Sequence, residues 1–520
     1  MAEKESLADP VPSFNPVQDI FRDVTPTKLI RSSWRVFWRI KNLQGWEGAL
    51  RVIPIIWTIV FTVRGFSRFH AKEYARLKDI KQTGTDMEEA ALTDSELEEY
   101  RQLGRWLRQR LYKLGPTFIK IGQTLSTRAD LVPLPALIEL SKLQEDVEAF
   151  PSEIAFSTIE RELGDKPENL FSEFNPKPIA AASLCQAYRA ILRDGRDVVV
   201  KVQRPELGKL IAHDVQTLAA VADEVMNYPN LCRHTDWPGV VQEFARTTFE
   251  EIDYIREGRN ADRFRHNFRS NENIYIPRII WRLTGRRVLT IEYVNGSNVN
   301  DSATIDRLGL DRAELTTIGA NFYLKQLLED GFFHADPHPG NMRIMPDGRV
   351  GIFDFGMVGR ISPQLKQSMV SAFMHVIKRE YRELIDDFVD MGFLDEDADR
   401  QELCDELTPI IDARFAEGLN KVSFRKVVFD FSDVVYRYPF RLPSEFTYIM
   451  RALLTLEGVA LAINPGFNFV DAALPFAQRL VFKEGGATVR QALLKEVFSE
   501  GRFQPRKAIN LFKTASRLTH

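Results

Sequence analysis

Cysteine is scarce in this sequence: three in 520 residues, Cys185, Cys232 and Cys404, far apart and odd in number. That excludes a disulfide scaffold and a Cys-rich zinc module, and it fits a reducing compartment. Net charge is nearly absent too, at −3, so no global basic signature points to nucleic acid. Long apolar runs are missing. The longest, Val52–Val63, has about twelve residues, Pro54 interrupts it, and Arg51 and Arg64 flank it. A helix that spans a bilayer needs about twenty. The N-terminal MAEKESLADPVPSFNPVQ lacks the basic start and apolar core of a secretory signal, and its acidic residues speak against a transit peptide. Nothing near the C-terminus reads as a transmembrane helix. No internal repeat or low-complexity tract is visible.

What is there is the composition of a globular chain. Hydrophobic residues make up 44% and charged residues 27%, which excludes a largely disordered chain and supplies a sizeable core. At roughly 150 residues per domain the length allows about two to four domains. The stretch from Arg22 to Lys81 is the chemical exception. It holds thirteen Lys/Arg against Asp23, Glu47, Glu73 and Asp79, and it contains Trp34, Trp38, Trp46 and Trp57. Tryptophan at an apolar–polar boundary beside Lys/Arg suits a helix lying on an anionic membrane surface. The alternative is an amphipathic helix packed on the rest of the protein.

Along the chain, residues 1–21 read as a flexible tail and 22–92 as a basic, Trp-rich helical region facing a membrane. KQTGTDMEEA is a polar break. Thr93 and Glu96 form a reciprocal cap that opens a helical segment over 93–150. Gly115-Pro116 interrupts it, TFIKIGQTLSTRADL resumes it, and Pro133 and Pro135 end it. A short helix is predicted over Pro151–Leu163. The texture then turns to strands in a lobe over 151–295. Ala187–Leu192 and Asp197–Val202 form a hairpin about Arg193-Asp194-Gly195-Arg196. Helices follow over 205–227 and 238–268, and two further strands flank Gly285. Residues 296–480 are mostly helical, with VVFDFSDVVYRYPF and NPGFNFV as core, and 481–520 read as a helical tail. The order is helical front, small sheet-rich lobe, larger helical lobe. This is an α+β arrangement that allows a nucleotide to sit between two lobes.

The segment that carries chemistry is HADPHPGNMRIMPDGRVGIFDFG. Phosphoryl transfer from Mg-ATP needs a carboxylate near the attacking hydroxyl, and an amide oxygen plus a second carboxylate to hold Mg²⁺. Asp336, Asn341 and Asp354 supply these groups. A hairpin turning at Asp347-Gly348 brings Asn341 and Asp354 to one place. Lys201, in the strand VVVKV, stands where a phosphate-pairing lysine belongs. Its partner is expected to be Glu257 in FEEIDYIREGRN, where Glu250, Asp253, Tyr254 and Glu257 would share one helical face. VLTIEYVNG reads as a strand ending at Glu292. Backbone groups of Glu292 and Val294 would then meet adenine.

Two features depart from an ordinary protein kinase. Where a Gly-rich phosphate loop belongs, the chain has Ala180-Ala181-Ala182-Ser183, which allows less backbone freedom than glycines. After Asp354-Phe355-Gly356 there is no long activation segment, and ISPQLKQSMV already looks like the next helix. Both argue against phosphorylation of protein substrates in trans.

These motifs together resemble the UbiB (AarF-type) atypical protein-kinase-like family, over roughly residues 95–480. Lys120-Ile121-Gly122-Gln123, the AAAS loop, Glu251-Ile252-Asp253 with Glu257 six residues on, and HADPHPGN with FDFG carry the resemblance. LSTRADL with the basic, Trp-rich front looks most like members from cyanobacteria and plastids. The resemblance implies a two-lobed, protein-kinase-like α+β fold with an N-terminal helical extension and lid. In that lid, Lys120, Gly122 and Gln123 fold over the cleft, with Lys120 and Gln123 facing the nucleotide and Glu251 and Asp253 contacting the lid. Ala181, Ala182 and Ser183 would line the phosphates. The family also implies ATP or ADP and Mg²⁺ as cofactors, ATPase activity, and support of prenylquinone metabolism at membranes. Expected partners are a membrane surface or isoprenoid lipid and proteins of a quinone pathway. The expected location is a membrane facing a reducing compartment, cytoplasm or plastid stroma. Tyr188 stands where the family commonly has His, which leaves the details of the phosphate loop open. Relatives with C-terminal transmembrane helices exist, so in this chain the front helices would have to reach the membrane.

Two other readings share the motifs. A small-molecule phosphotransferase of the aminoglycoside or choline kinase kind also lacks a peptide platform, but the Lys120 lid and the EIDYIRE helix count against it. A nucleotide-binding scaffold without turnover is compatible with the fold, yet Lys201, Asp336, Asn341 and Asp354 are all present. Metal-dependent hydrolysis through His334 and His338 is disfavoured, because Pro337 and Pro339 exclude a helical metal face.

Overall fold

The computed structural model describes residues 26–83, 94–126, 134–144, 149–229, 236–416 and 444–469, with a few short pieces besides. The tail over 1–21, the Thr93 cap and the stretch VVFDFSDVVYRYPF lie outside the described residues. The chain divides into two compact units, Met1–Ile255 with Ile280–Thr290, and Arg256–Ile279 with Ile291–His520.

The first unit opens with helix α1 (Pro26–Thr83), which bends where Gly45 adopts φ 75° and ψ −166°. That left-handed φ is strain-free only for glycine. Helices α2 (Asp94–Leu114), α3 (Pro116–Leu125) and α4 (Leu134–Ser141) follow. Ile55 of α1 packs with Leu107 and Leu111 of α2, Phe118 of α3, and Leu137 and Leu140 of α4, the three- and four-residue spacing of an apolar helical stripe. Two expectations need correction here. The helix after Pro116 stops at Leu125. Pro135 does not end a helix; it stands in the first turn of α4, where its missing N–H has no intrahelical partner to lose, and Pro133 lies outside the described residues.

Helices α5 (Ser152–Leu163), α6 (Leu207–Val225) and α7 (Trp237–Glu251) also belong to this unit. Arg51 joins three helices. Its guanidinium meets Asp214 of α6 at 2.6 Å and donates to the Leu114 carbonyl at 2.8 Å, and the Asp214 side chain is fully buried. Losing one partner of such a pair costs about 3–5 kcal/mol, because the other is left charged and dry.

The sheet of the first unit runs β1 (Glu173–Phe174), β3 (Cys185–Ile191), β4 (Asp197–Gln203), with β2 (Ala180–Ala181) paired to β3. The β3–β4 hairpin forms where expected and closes at Ile191↔Asp197, with Leu192 drawn into the turn. Side chains alternate between faces. Tyr188, Ala190, Val198, Val200 and Val202 enter the core with Ile159 of α5, while Lys201 points the other way, paired across the sheet with Ala187. The Tyr188 hydroxyl donates to Gln186 Oε1 at 2.6 Å, and Gln186 Nε2 donates to the Phe150 carbonyl at 2.8 Å. The Tyr-for-His departure is therefore a core feature, on the face opposite Lys201.

The helix expected over 238–268 is two helices, α7 and α8 (Tyr254–Asn267), separated at Ile252-Asp253. Asp253 Oδ1 accepts the Ile255 N–H at 3.0 Å, a local bond that competes with continued helix. Glu250, Asp253, Tyr254 and Glu257 accordingly do not share one helical face. The two strands expected about Gly285 are also different. Trp281–Leu283 is a 3-10 turn that leads into β6 (Val288–Glu292), while β5 (Ile274–Tyr275) pairs in parallel with β10 (Val350–Ile352). A parallel partner that distant leaves no local sequence pattern.

The second unit holds a small sheet of order β5-β10-β9-β7, with β7 (Ser297–Asn298) and β9 (Met342–Ile344), and a two-stranded ladder of β8 (Phe332–His334) with β11 (Val358–Arg360). Helix α9 (Arg312–Leu324) continues into a π-helical turn over Lys325–Asp330. Helices α10 (Pro363–Lys378), α11 (Tyr381–Asp390), α12 (Arg400–Ala416) and α13 (Ser444–Ile463) follow. Tyr323, Leu327, Phe333, Leu453 and Leu456 form its core, and Phe469 of NPGFNFV is buried among them. Within 481–520, read as helical, the described residues are two short paired strands, Phe498–Ser499 and Arg502–Phe503. Phe498 pairs with Phe503 and Ser499 with Arg502, a ladder rather than a helix.

Candidate active site

Strand β8 delivers a loop whose backbone is tied down on every side. The His334 N–H donates to Gln326 Oε1 at 2.8 Å, and the His334 carbonyl accepts the Tyr323 hydroxyl at 3.1 Å. The Ala335 N–H donates to the Met357 carbonyl at 3.0 Å, and the Ala335 carbonyl accepts Arg451 Nη2 at 2.8 Å. The Asp336 N–H donates to His334 Nδ1 at 3.1 Å, which puts the proton of the neutral ring on Nε2. Burial holds the His334 imidazole below its usual range. His334 is thus a neutral ring whose Nδ1 is spent on bracing the loop backbone.

Past Asp336 the chain turns on itself. The His338 N–H donates to the Asp336 carbonyl at 2.8 Å, and the Asn341 N–H to the His338 carbonyl at 2.8 Å. Asn341 Nδ2 donates to the Asp336 carbonyl at 3.3 Å. Asn341 Oδ1 meets no protein donor among the described residues, and neither does the Asp336 carboxylate. The β9–β10 hairpin pairs Met342↔Ile352, and the Phe353 N–H then donates to the Asn341 carbonyl at 3.0 Å. The open end of the hairpin thereby sets Asn341 beside the Phe353-Asp354 peptide.

Asp354 has φ 69°, a left-handed conformation that costs a non-glycine residue on the order of 1 kcal/mol. Its neighbour holds it there. The Phe355 ring is buried, 4.8 Å from Phe264 and 5.6 Å from His334, and the Phe355 carbonyl accepts Asn260 Nδ2 at 3.0 Å. Glu257 is buried, one turn before Asn260 and on the same face of α8. No group of three or more His, Cys, Asp or Glu side chains stands at metal-holding spacing among the described residues. The candidate metal set is the mixed one, Asn341 with Asp354. Hard oxygen donors of this kind suit Mg²⁺. A cavity of about 410 Å³ in the same unit is lined by Glu272, Asp311, Glu314, Asp347 and Arg349 and includes none of these residues.

In the first unit, Ala180 and Ala181 pair with Ala187 and Gln186, and the Ala182 N–H donates to the Cys185 carbonyl at 2.8 Å. The tip, Ser183-Leu184, is tucked down: Ser183 is buried, and Leu184 packs on Leu207 and Ile211 of α6. Arg204 Nε holds the Ala182 carbonyl at 3.1 Å. Lys201 Nζ lies 5.9 Å from the Tyr254 ring centroid. Lys120 Nζ meets Glu251 Oε1 at 2.6 Å, with both side chains mostly buried. A Cβ on Gly122 would come within 2.3 Å of Leu143 Cδ1, so glycine lets α3 pack closely there. Gln123 Nε2 donates to the Leu143 carbonyl at 3.2 Å. In the second unit, the Glu292 N–H donates to the Arg278 carbonyl, its carboxylate accepts the Tyr275 hydroxyl at 2.8 Å, and Val294 is buried against Gly351.

A family model described as the ABC1 atypical kinase-like domain matches residues 142–388, and one described as the UbiB helical domain matches 407–468. The Synechocystis protein sll1770 is 41% identical over 76% of this chain and 68% of its own length. The chain belongs to the UbiB/ABC1 atypical-kinase family. Arabidopsis thaliana proteins of the name ACTIVITY OF BC1 COMPLEX KINASE, chloroplastic, are also similar. Number 1 is 38% identical over 81% of this chain and 62% of its own length, and number 3 is 36% identical over 79% and 58%. The chain thus spans about three-fifths of these plant relatives. Membership of the UbiB/ABC1 family makes the chain an atypical kinase by class, and its α+β fold with a helical extension in front is the kinase-like one.

Sequence reading missed three residues that hold the UbiB/ABC1 loop: Tyr323, Gln326 and Arg451. Tyr323 and Gln326 come from the end of α9 and its π-turn, and Arg451 comes from α13, inside the matched helical domain. A lone arginine on a helix far downstream gives no motif. An arginine within a largely apolar helix, IMRALLTLEGVALAI, was the available signal.

Proposed function

We propose that this chain is a Mg²⁺-dependent atypical kinase or ATPase that binds ATP or ADP and works at a membrane in prenylquinone or isoprenoid-lipid metabolism. The observation that carries the nucleotide reading is the 334–356 segment. Its backbone bonds are spent internally while Asp336 and Asn341 Oδ1 receive none from the described residues. Asn341 and Asp354 would hold the metal. Asp336 would orient the nucleophile, a hydroxyl or water, and take up its proton. Lys201 and Glu257 would position the phosphates, with Ala181, Ala182 and Ser183 along them and Glu292 and Val294 at the base. Bound Mg²⁺ supplies charge neutralisation on the phosphate oxygens. Lys120, Gly122, Gln123, Glu251 and Asp253 would form the lid that restricts access, which favours a small or lipid substrate over a protein.

Membrane association is supported by exposed Trp34, Trp38, Trp46 and Trp57 on α1, and no described helix is long and apolar enough to cross a bilayer. The link to quinone or isoprenoid lipids rests on family membership. The test is Mg²⁺-dependent ATP consumption by wild type and Asp354→Asn, with and without anionic liposomes. Turnover that requires Asp354 and rises on liposomes is expected. Nucleotide binding without Asp354-dependent turnover in either condition would replace this reading by a scaffold.

A further inference from the structure

The exposed side of α1 is apolar over most of its described length. Ile30, Trp34 and Trp38 lie before the bend, and Trp46, Leu50, Ile53, Trp57 and Phe61 after it, each between 45% and 61% exposed. The spacing is four residues before the bend and three or four after it, one helical face on each side of the bend. The opposite side is spent on the protein: Val36, Ile40 and Val52 pack on Ala220 of α6, and Ile55 joins the α2–α4 core. The bend at Gly45 folds Trp46 back towards Trp38, and Lys41 Nζ sits 4.2 Å from both ring centroids. An ammonium held among exposed indoles is an arrangement suited to the headgroup layer of a bilayer.

Beside this face lies a cavity of about 390 Å³ between α1 and α2. Pro54 and Thr58 form its α1 wall, next to exposed Ile53 and Trp57. Arg51, Arg110 and Lys113 line it, with Glu47 as the one carboxylate. Arg51 is spent on Asp214 and the Leu114 carbonyl. Arg110 and Lys113 make no ion pair with a carboxylate among the described residues. Arg110 only lies over the Trp106 ring, at 5.7 Å. With Arg51 neutralised and Glu47 offsetting one charge, the cavity keeps a net positive charge. Its volume is at the low end of small-ligand pockets, roughly 300–1,000 Å³. It has room for a headgroup and none for acyl chains.

We propose that this cavity binds the phosphate-bearing headgroup of an anionic membrane lipid, with Arg110 and Lys113 as its cations, while the Trp46–Phe61 face enters the bilayer surface beside it. The site rests on the membrane reading above and adds to it the class of lipid and the residues that select it. The acyl chains stay in the bilayer, alongside Trp57 and Phe61. Attraction of the whole basic front to an anionic surface is diffuse and acts on every exposed cation. The cavity adds paired, charge-assisted hydrogen bonds to one headgroup.

The test is co-sedimentation of the full chain with vesicles of phosphatidylcholine alone or mixed with phosphatidylglycerol. Four proteins are compared: wild type; Arg110→Gln with Lys113→Gln; Lys28→Gln with Arg31→Gln, which removes the same charge elsewhere on the front; and Trp46→Ser with Trp57→Ser. Thermal melts by circular dichroism check that each is folded. Wild type is expected to prefer the anionic vesicles. The cavity pair is expected to weaken that binding by roughly tenfold more than the control pair, with no effect on phosphatidylcholine vesicles. The tryptophan pair is expected to weaken binding to both. Millimolar inorganic phosphate is expected to displace no more protein than sodium chloride of equal ionic strength; selective displacement would make the occupant a free anion and overturn the lipid assignment. Equal losses in the cavity and control pairs would overturn the site while leaving the membrane reading standing. Wild type that sediments with neither vesicle would overturn both.

Discussion

The Lys120–Glu251 pair and the 334–356 loop spend their polar groups in opposite ways. In the first unit the charged side chains face each other: Lys120 is held 2.6 Å from Glu251, both largely out of water. In the second unit the backbone is what is satisfied, by Tyr323, Gln326, Met357 and Arg451, and the side-chain oxygens of Asp336 and Asn341 are presented instead. The difference teaches where to look for chemistry. A buried charge with its partner in place mainly fixes a conformation, whereas a rigid loop that presents unbonded oxygens is arranged for something that arrives.

The comparison breaks most visibly at Asp336. Asp336→Asn is expected to lower Mg²⁺-dependent ATP turnover by about two to three orders of magnitude, as loss of a group acting only in the transition state does. Nucleotide affinity by calorimetry should change little. On the other side, Lys120→Met leaves Glu251 without its closest cation. A loss of about 2–3 kcal/mol in urea unfolding is expected, much of it recovered in the double variant with Glu251→Gln. Additive single effects would mean the pair is incidental.

Arg451 sharpens the contrast, since its bond to the loop goes to the Ala335 backbone carbonyl, beside weaker contacts with Met357 Sδ and the Tyr448 ring. Arg451→Met is expected to lower kcat by about tenfold with KM nearly unchanged, the pattern of a loop misplaced at the transition state. Arg451→Lys should restore part of it. A change confined to KM would argue against a positioning role. The smallest effect concerns Tyr275, whose hydroxyl is pushed up to about 12 by burial and by its bond to Glu292. A raised folded-state value stabilises below the unfolded value of 10.0 and loses that contribution as pH climbs towards 12. Urea midpoints should therefore fall slightly more steeply above pH 10 in wild type than in Tyr275→Phe.

Much of this was legible before any coordinates. The 342–352 hairpin announces itself through Asp347-Gly348, and the 187–202 hairpin through Asp194-Gly195, because tight turns need those residues locally. The chain's helical front follows from its apolar spacing. What escaped notice was set by contacts or by ambiguous signals. The break at Ile252-Asp253 has no glycine or proline, only an aspartate that bonds a neighbouring N–H. Pro135 serves as a helix opener as readily as a terminator. The parallel β5–β10 pairing and the Arg451 brace join residues far apart in sequence, and neither has a local pattern. Gly122, carried over from the family as part of a lid, has its physical reason in the packing of Leu143, whose Cδ1 a Cβ at that position would meet at 2.3 Å.

The most direct test of the central claim is calorimetric titration of ATP and ADP into wild type and Asp354→Asn, each in Mg²⁺ and in EDTA. The account predicts that wild type binds nucleotide far more tightly with Mg²⁺ than without, and that Asp354→Asn loses this metal dependence while keeping its thermal stability. Equal affinity with and without Mg²⁺ in wild type, or metal dependence that survives in Asp354→Asn, would contradict it.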